Sequence, residues 1–275
     1  MNPIISVINN KGGTAKTTTV INTGDALSRL GKRILIIDMD NQCNATDILQ
    51  GGMEKPFVKS LYDLIDPRGD RSDNENADIE SCIYPTVNKK LHFIPNIPDS
   101  AILSPRIVLG GESALFLLRE RMRNYALNNF DFTFIDCPPN VDVFVISALI
   151  ASDLVIVPTM AGSKFSLNGL VKTKAFIDDI GDRYNADLKF LKLLITMVDS
   201  RTSICKTIVN AIRKTFLEHE VFYQTIPMNT DFQKAEVFNQ SIFDYRIGAP
   251  GAGAYMNVAE EIIHSIKSKN NVLNP

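Results

Sequence analysis

Short apolar, β-branched runs recur along the chain at residues 4–8, 33–38, 91–95, 130–136, 153–158 and 190–198, and the stretches between them carry helical periodicity. Strands that alternate with helices predict a parallel sheet joined by crossovers. Runs such as Ile34-Leu35-Ile36-Ile37 and Leu154-Val155-Ile156-Val157 are apolar at every position rather than every second one. Strands covered on both faces require this. The pattern therefore predicts an α/β fold, a three-layer, doubly wound and mostly parallel sheet with helices on each side. Toward the end, Tyr255, Val258, Ala259, Ile262, Ile263 and Ile266 fall at i, i+3, i+4, i+7, i+8, i+11 spacing, which predicts a closing helix over 255–267 with one apolar stripe. The polar stretch 67–78 reads as a surface excursion, because strand and helix signals resume after it. A single domain over 1–275 is expected, with no N-terminal DNA-binding extension, since the first strand begins at residue 4.

Composition narrows the function classes. The 275 residues are 45% hydrophobic and 22% charged, an ordinary globular balance that excludes whole-chain disorder. Lys and Arg number 29 against 31 Asp and Glu, so any polyanion must be met by a local patch, and a histone-like or ribosomal-protein reading is excluded. No apolar run approaches the roughly 18–20 residues of a membrane span, and no signal-type stretch opens the chain, so a cytoplasmic protein is expected. Cys43, Cys82, Cys137 and Cys205 lie far apart without a CxxC pair, as free thiols do.

Directly after the first strand comes Asn9-Asn10-Lys11-Gly12-Gly13-Thr14-Ala15-Lys16-Thr17-Thr18-Thr19, followed by a helical pattern through Leu30. A glycine-bearing loop that opens a helix presents backbone N–H groups and the positive end of the helix dipole to an anion. Its lysine and hydroxyl can reach terminal phosphates and Mg²⁺. The strict pattern GxxxxGK[ST] is not met, because Asn10 and Ala15 stand at its glycine positions. The context supplies what the motif lacks. The second strand ends in Asp38-Met39-Asp40, whose period-2 spacing puts both carboxylates on one face at the strand's carboxyl end, where open α/β sheets bind ligands. A later strand ends in Asp136-Cys137-Pro138-Pro139, in the form of a Walker B carboxylate.

At these residues the chain resembles the ParA/MinD superfamily of deviant Walker ATPases, whose loop pattern KGGxxK[ST] is met in full by Lys11 to Thr17. Within it the chain is most similar to the Soj-like ParA family, with matching blocks at 37–46, 60–63, 135–139, 167–170, 196–202, 226–229 and 253–255. The resemblance implies an ATP- and Mg²⁺-dependent sandwich homodimer that binds DNA non-specifically on the nucleoid. A centromere-binding, ParB-like partner stimulates hydrolysis, so that plasmids or chromosomes are segregated. No membrane partner is implied. Carried over by position, Gly12, Gly13, Thr14, Ala15, Lys16, Thr17 and Thr18 hold the phosphates, Lys16 neutralising them. Thr17 ligands Mg²⁺ with Asp38 and Asp136 in its outer shell, Asp40 orients the attacking water, and Lys11 reaches across the dimer to the other nucleotide, as an arginine finger does. Thr196, Pro227, Met228 and Asn229 fall near the adenine.

Several positions depart from the family pattern. Ala15 replaces the usual glycine, and its methyl costs about 1 kcal/mol if the backbone there needs a positive φ. Asn41 replaces a proline and Cys43 a glycine, while Met228 and Asp231 stand where relatives often carry arginine. For DNA this leaves Arg201, Lys206, Arg213 and Lys214 against the single Asp199, on a helix reading from Ser203; a merely solvated helix face is the alternative. Three rival functions remain. A MinD-like membrane ATPase needs a C-terminal amphipathic helix with a basic polar face, where this chain has Glu260 and Glu261. A metabolic or metal-handling relative of the iron-protein or cobyrinate-synthetase type would, for a bridging cluster, need suitably placed cysteines. The third is a nucleotide-binding scaffold whose hydrolysis Ala15 impairs.

Overall fold

A computed structural model describes residues 2–51, 57–68, 78–162 and 167–273, with side chains through 267. Residues 69–77 of the polar excursion lie outside them. The first half runs β1 (Ile4–Val7), α1 (Lys16–Arg29), β2 (Ile34–Asp38), α2 (Asn44–Gln50), α3 (Leu61–Ile65), β3 (Tyr84–Pro85), β4 (Leu91–Ile94), α4 (Leu103–Leu109), α5 (Glu112–Leu115), α6 (Leu117–Asn129) and β5 (Phe132–Asp136). The second half runs α7 (Val143–Ala151), β6 (Leu154–Met160), α8 (Leu167–Tyr184), β7 (Lys189–Thr196), α9 (Ser203–Thr215), α10 (Thr230–Val237), α11 (Ile242–Arg246) and α12 (Pro250–Leu273).

The seven strands order as β3-β4-β2-β5-β1-β6-β7, all parallel except the β3–β4 pair. The continuous apolar runs do what two-sided burial demands. Ile34 and Ile36 pack into one core layer with α1, α2, α11 and α12, whereas Leu35 and Ile37 pack into the other with α3 to α9. Each strand's side chains thus alternate between two cores.

Most elements differ from the expected ones by a residue or two at their ends, and three differences have a clear cause. β3 is a two-residue edge strand, too short to show a period, and its Pro85 suits an edge because proline has no N–H to donate. β7 stops at Thr196 rather than 198, because Met197 turns left-handed (φ 53°). α12 begins five residues before the apolar stripe, with Pro250 in its first turn, where the missing N–H is no loss. Its stripe, Tyr255, Val258, Ala259, Ile262 and Ile266, is buried against the sheet. No helix among the described residues is long and apolar enough to cross a membrane.

Candidate functional site

The loop between β1 and α1 is pinned from behind. Buried Asn9 donates from Nδ2 to the Pro158 carbonyl at the end of β6 (2.8 Å) and accepts from the Lys11 amide on Oδ1 (3.0 Å). Buried Thr196, at the end of β7, donates from Oγ1 toward the carbonyls of Thr14 (3.3 Å) and Thr159 (3.2 Å). Within the loop, Thr14 Oγ1 and Lys16 Nζ both donate to the Lys11 carbonyl, at 3.3 and 3.4 Å. Gly13 (φ 72°) and Ala15 (φ 67°, ψ 37°) are left-handed. This double reversal sends the chain into α1, whose first internal bond runs from the Thr19 amide to the Ala15 carbonyl (2.9 Å). The amides of Lys16, Thr17 and Thr18 precede that bond and are available to an anion.

The loop forms one wall of a cleft of about 340 Å³. Gly12, Gly13, Thr14, Ala15, Lys16, Thr17 and Thr18 all line it, as does Asp40. Below it, Asp38 and Asp136 sit side by side in register at the ends of β2 and β5. Thr17 Oγ1 donates to Asp136 Oδ2 (2.7 Å). Asp38 accepts from the Asp40 amide (3.0 Å) and from both the amide and hydroxyl of Thr46 (2.8 and 2.7 Å). Asp40 accepts from the Gln42 amide (3.0 Å).

Two of these carboxylates, Asp136 and Asp40, act on the buried Lys16 ammonium, and Asp38 lies beside Asp136. Burial pushes the Asp38 carboxyl up to about 7, against its three hydrogen bonds. Burial, and then the charge of Asp38, push Asp136 well above the usual carboxylate range, with the Thr17 hydroxyl and Lys16 opposing. Burial also lowers the Lys16 ammonium, against the pull of Asp136, Cys137 and Asp40. Asp136 Oδ1 is buried with no hydrogen-bond partner. A divalent cation fits this deficit, since the unmatched oxygen and the Thr17 hydroxyl are both hard donors. No group of three or more His, Cys, Asp or Glu among the described residues could hold a metal by itself. The donor set therefore suits an ion shared with a ligand's own oxygens, as Mg²⁺ is shared with phosphates.

The other expected residues are placed differently. Lys11 is outside the lining of this cleft, with its carbonyl tied inward. Thr196, Pro227, Met228 and Asn229 also lie outside it. Thr196 is committed to holding the loop. Pro227 bridges to Val198, Met228 is 60% exposed, and Asn229 Oδ1 caps α10 by accepting from the Asp231 amide (2.8 Å). In their place stand Met197 and, from α10 and beyond, Phe232, Ala235, Glu236 and Gln240. Their i, i+3, i+4 spacing marks a helix face, and no motif in the sequence ties that face to the loop. Of the basic residues, Lys206 and Lys214 are exposed on α9. Arg201 is locked side-on to Asp199 by two bonds of 2.9 Å, and Arg213 donates to the carbonyls of Phe222 and Tyr223 (3.2 and 2.9 Å). All four cysteines are free and buried.

Ala15 is held where a methyl is unfavourable, so Ala15→Gly should stabilise the protein by about 1 kcal/mol and raise the thermal midpoint by roughly 2–4 °C; an unchanged or lower midpoint would mean that the loop holds alanine without strain. The raised Asp38 carboxyl means that the folded state keeps a proton which the unfolded chain releases. Between about pH 4 and 7, in EDTA, wild-type stability relative to Asp38→Asn should accordingly fall as pH rises. Chemical denaturation across that range checks this, and a constant or rising difference contradicts it.

Residues 2–190 match the family model described as AAA domain. The chain is 31% identical over 263 residues to the chromosome-partitioning ATPase Soj of Thermus thermophilus, covering 96% of each chain. It is 32% identical over 263 residues to the sporulation initiation inhibitor protein Soj of Bacillus subtilis, covering 95% of this chain and 98% of that one. Among solved structures, cobyrinic acid a,c-diamide synthase from Mycobacterium smegmatis with bound ADP and magnesium superposes with a TM-score of 0.79 at 26% identity, over 98% of this chain and 97% of that chain. The near-full-length match to the two Soj proteins, together with the KGGxxK[ST] loop and its paired strand-end aspartates, places the chain in the ParA/Soj family of P-loop ATPases.

Proposed function

We propose that this chain is a single-domain, Mg²⁺- and ATP-dependent partition ATPase. Bound ATP joins two copies in a sandwich dimer, the dimer binds DNA non-specifically, and a ParB-like centromere-binding partner stimulates hydrolysis, so that a plasmid or chromosome is moved. The observation that carries the reading is the Thr17–Asp136 hydrogen bond, which sets a hydroxyl and an unsatisfied carboxylate oxygen beneath a loop of open amides. The Soj relatives extend that reading from nucleotide binding to partition.

In this reading the amides from Gly12 to Thr18 cradle the phosphates and the Lys16 ammonium neutralises them. Thr17 and Asp136 would hold Mg²⁺, with Asp38 behind them. When bound, the ion offsets charge on the phosphate oxygens as it develops in phosphoryl transfer. Asp40, in the cleft and oriented by the Gln42 amide, positions the attacking water. Lys11 acts on the nucleotide of the facing copy, as a charge supplied in trans. The Soj relatives favour this over the synthase chemistry that the structural neighbour's description carries for its own chain. The burial of the α12 stripe weighs against a membrane-docking role, because that apolar face is already covered by the sheet.

For DNA, Lys206 and Lys214 are the stronger candidates, since the charge of Arg201 is matched by Asp199 and Arg213 fastens the chain after α9. ATP, and not ADP, should make the purified protein shift unrelated duplex DNA. Lys206→Ala with Lys214→Ala should flatten the slope of log K against log[salt] by about two units while leaving ATP-dependent dimerisation intact. ATP-dependent flotation with anionic liposomes, without DNA binding at low salt, would contradict the partition reading.

A further inference from the structure

The two ends of the strands carry opposite chemistry. The carboxyl ends of β2 and β5 bring Asp38, Asp40 and Asp136 to the cleft, whereas basic residues gather at the amino ends of β2 and β4. Lys32 and Arg33 lead into β2, and Lys89 and Lys90 lead into β4. The Ile34 amide donates to the Lys90 carbonyl (2.8 Å), so these two approaches lie side by side. Arg29, at the end of α1, joins them, and with Lys89 and Lys90 it lines an open hollow of about 460 Å³.

The turn that carries Lys89 and Lys90 is fastened to α1. Asn88 donates from Nδ2 to Ser28 Oγ (2.6 Å) and to buried Asp25 (3.1 Å), and its Oδ1 accepts from the Lys90 amide (3.1 Å). Cations that follow the last turn of a helix ordinarily serve its dipole. That accounts for only part of this group. Lys90 Nζ donates to the Gly31 carbonyl at the end of α1 (3.1 Å), Arg29 pairs with Asp25 (3.0 Å) and Asp244 (2.7 Å), and Arg33 pairs with Asp131 (3.0 Å). Lys32 and Lys89 are left over, since neither makes a hydrogen bond or ion pair to any described residue. Lys90 keeps two further N–H donors. Three ammonium groups on a fixed frame thus have no carboxylate partner among the described residues.

Val87 is the one apolar side chain that lines the hollow, and Asp244, its one acid, is already held by Arg29. A face that inserts into a membrane needs more apolar area than this, whereas ammonium groups at adjoining strand ends suit backbone phosphates. Building on the DNA-binding reading above, we propose that this patch is a second duplex-binding surface, where Lys32, Lys89 and Lys90 meet phosphates without reading sequence. It is separate from Lys206 and Lys214 on α9, because β5, β1 and β6 stand between β2 and β7, the strand that leads to α9, and because α1 and α9 cover opposite faces of the sheet.

The test is binding of the full chain, with Mg²⁺ and ATP, to a short unrelated duplex across a range of salt. Protein carrying Lys206→Ala and Lys214→Ala should still bind at low salt. Adding Lys32→Ala and Lys89→Ala should flatten the slope of log K against log[salt] by about two further units, and Lys32→Arg with Lys89→Arg in their place should restore it. The thermal midpoint should not move, since neither lysine has a partner to lose. If wild type binds DNA but the Lys206→Ala, Lys214→Ala protein does not, or if its slope is unmoved by the changes at Lys32 and Lys89, the proposal is overturned while the DNA-binding reading stands. Flotation with anionic liposomes that depends on Lys32 and Lys89, without DNA binding, overturns it in favour of a lipid surface. Absence of DNA binding by wild type overturns the DNA-binding reading itself, and this one with it.

Discussion

The burial of Asp136 beside Asp38, with one lysine to balance them, is the constraint on which the rest of this molecule depends. Two adjacent parallel strands deliver these carboxylates to the same sheet edge in register, and Asp40 adds a third two residues on. The chain supplies Lys16 and four hydrogen bonds to Asp38 and Asp136, one of them from the Thr17 hydroxyl, and one oxygen of Asp136 is still unmatched. Burying charge with incomplete compensation is unfavourable, and the raised carboxyls of Asp38 and Asp136 are its signature. In the proposed function, a cation arriving with phosphates would complete the set.

Backbone strain gathers around the same place. Four described non-glycine residues are left-handed: Ala15, Cys43, Met197 and Asn239. Ala15 and Met197 line the cleft, and Cys43 and Asn239 each adjoin a residue that does. Ala15 and Cys43 occupy the residue before α1 and α2, where the chain must reverse from strand to helix within a few residues. Such conformations persist only when their surroundings over-determine them, here through Asn9 and Thr196 behind the loop and Asp38 gripping the first turns of α2. The site's rigidity and its strain have a common source.

The sheet was legible because parallel strands covered on both faces need every position apolar, whereas a strand with one wet face alternates apolar and polar positions. The loop and the three aspartates were legible because each lies within a residue or two of a strand end, so local order in the chain maps onto position in the sheet. The departures at Ala15 and Cys43 were visible as residue types, and the positive φ at both turns the first from a conditional strain into an actual one. The face of α10 that lines the cleft was not legible. Phe232 and Glu236 look like an ordinary amphipathic helix, and their placement depends on a buried tyrosine and a glycine some twenty residues on. Nor does charge counting show that Arg201 and Arg213 are engaged by Asp199 and by backbone carbonyls, because those pairings arise only in the folded chain.

If the unmatched charge at Asp136 is what couples nucleotide to Mg²⁺, the two should be inseparable in binding. Titration calorimetry of ATP in Mg²⁺ and in EDTA, for wild type and for Asp136→Asn, addresses this directly. Wild-type affinity should fall by about tenfold or more when Mg²⁺ is removed, and the asparagine variant should lose most of this sensitivity. Wild-type affinity that is the same with and without Mg²⁺, or a variant that keeps the full Mg²⁺ dependence, would contradict that coupling.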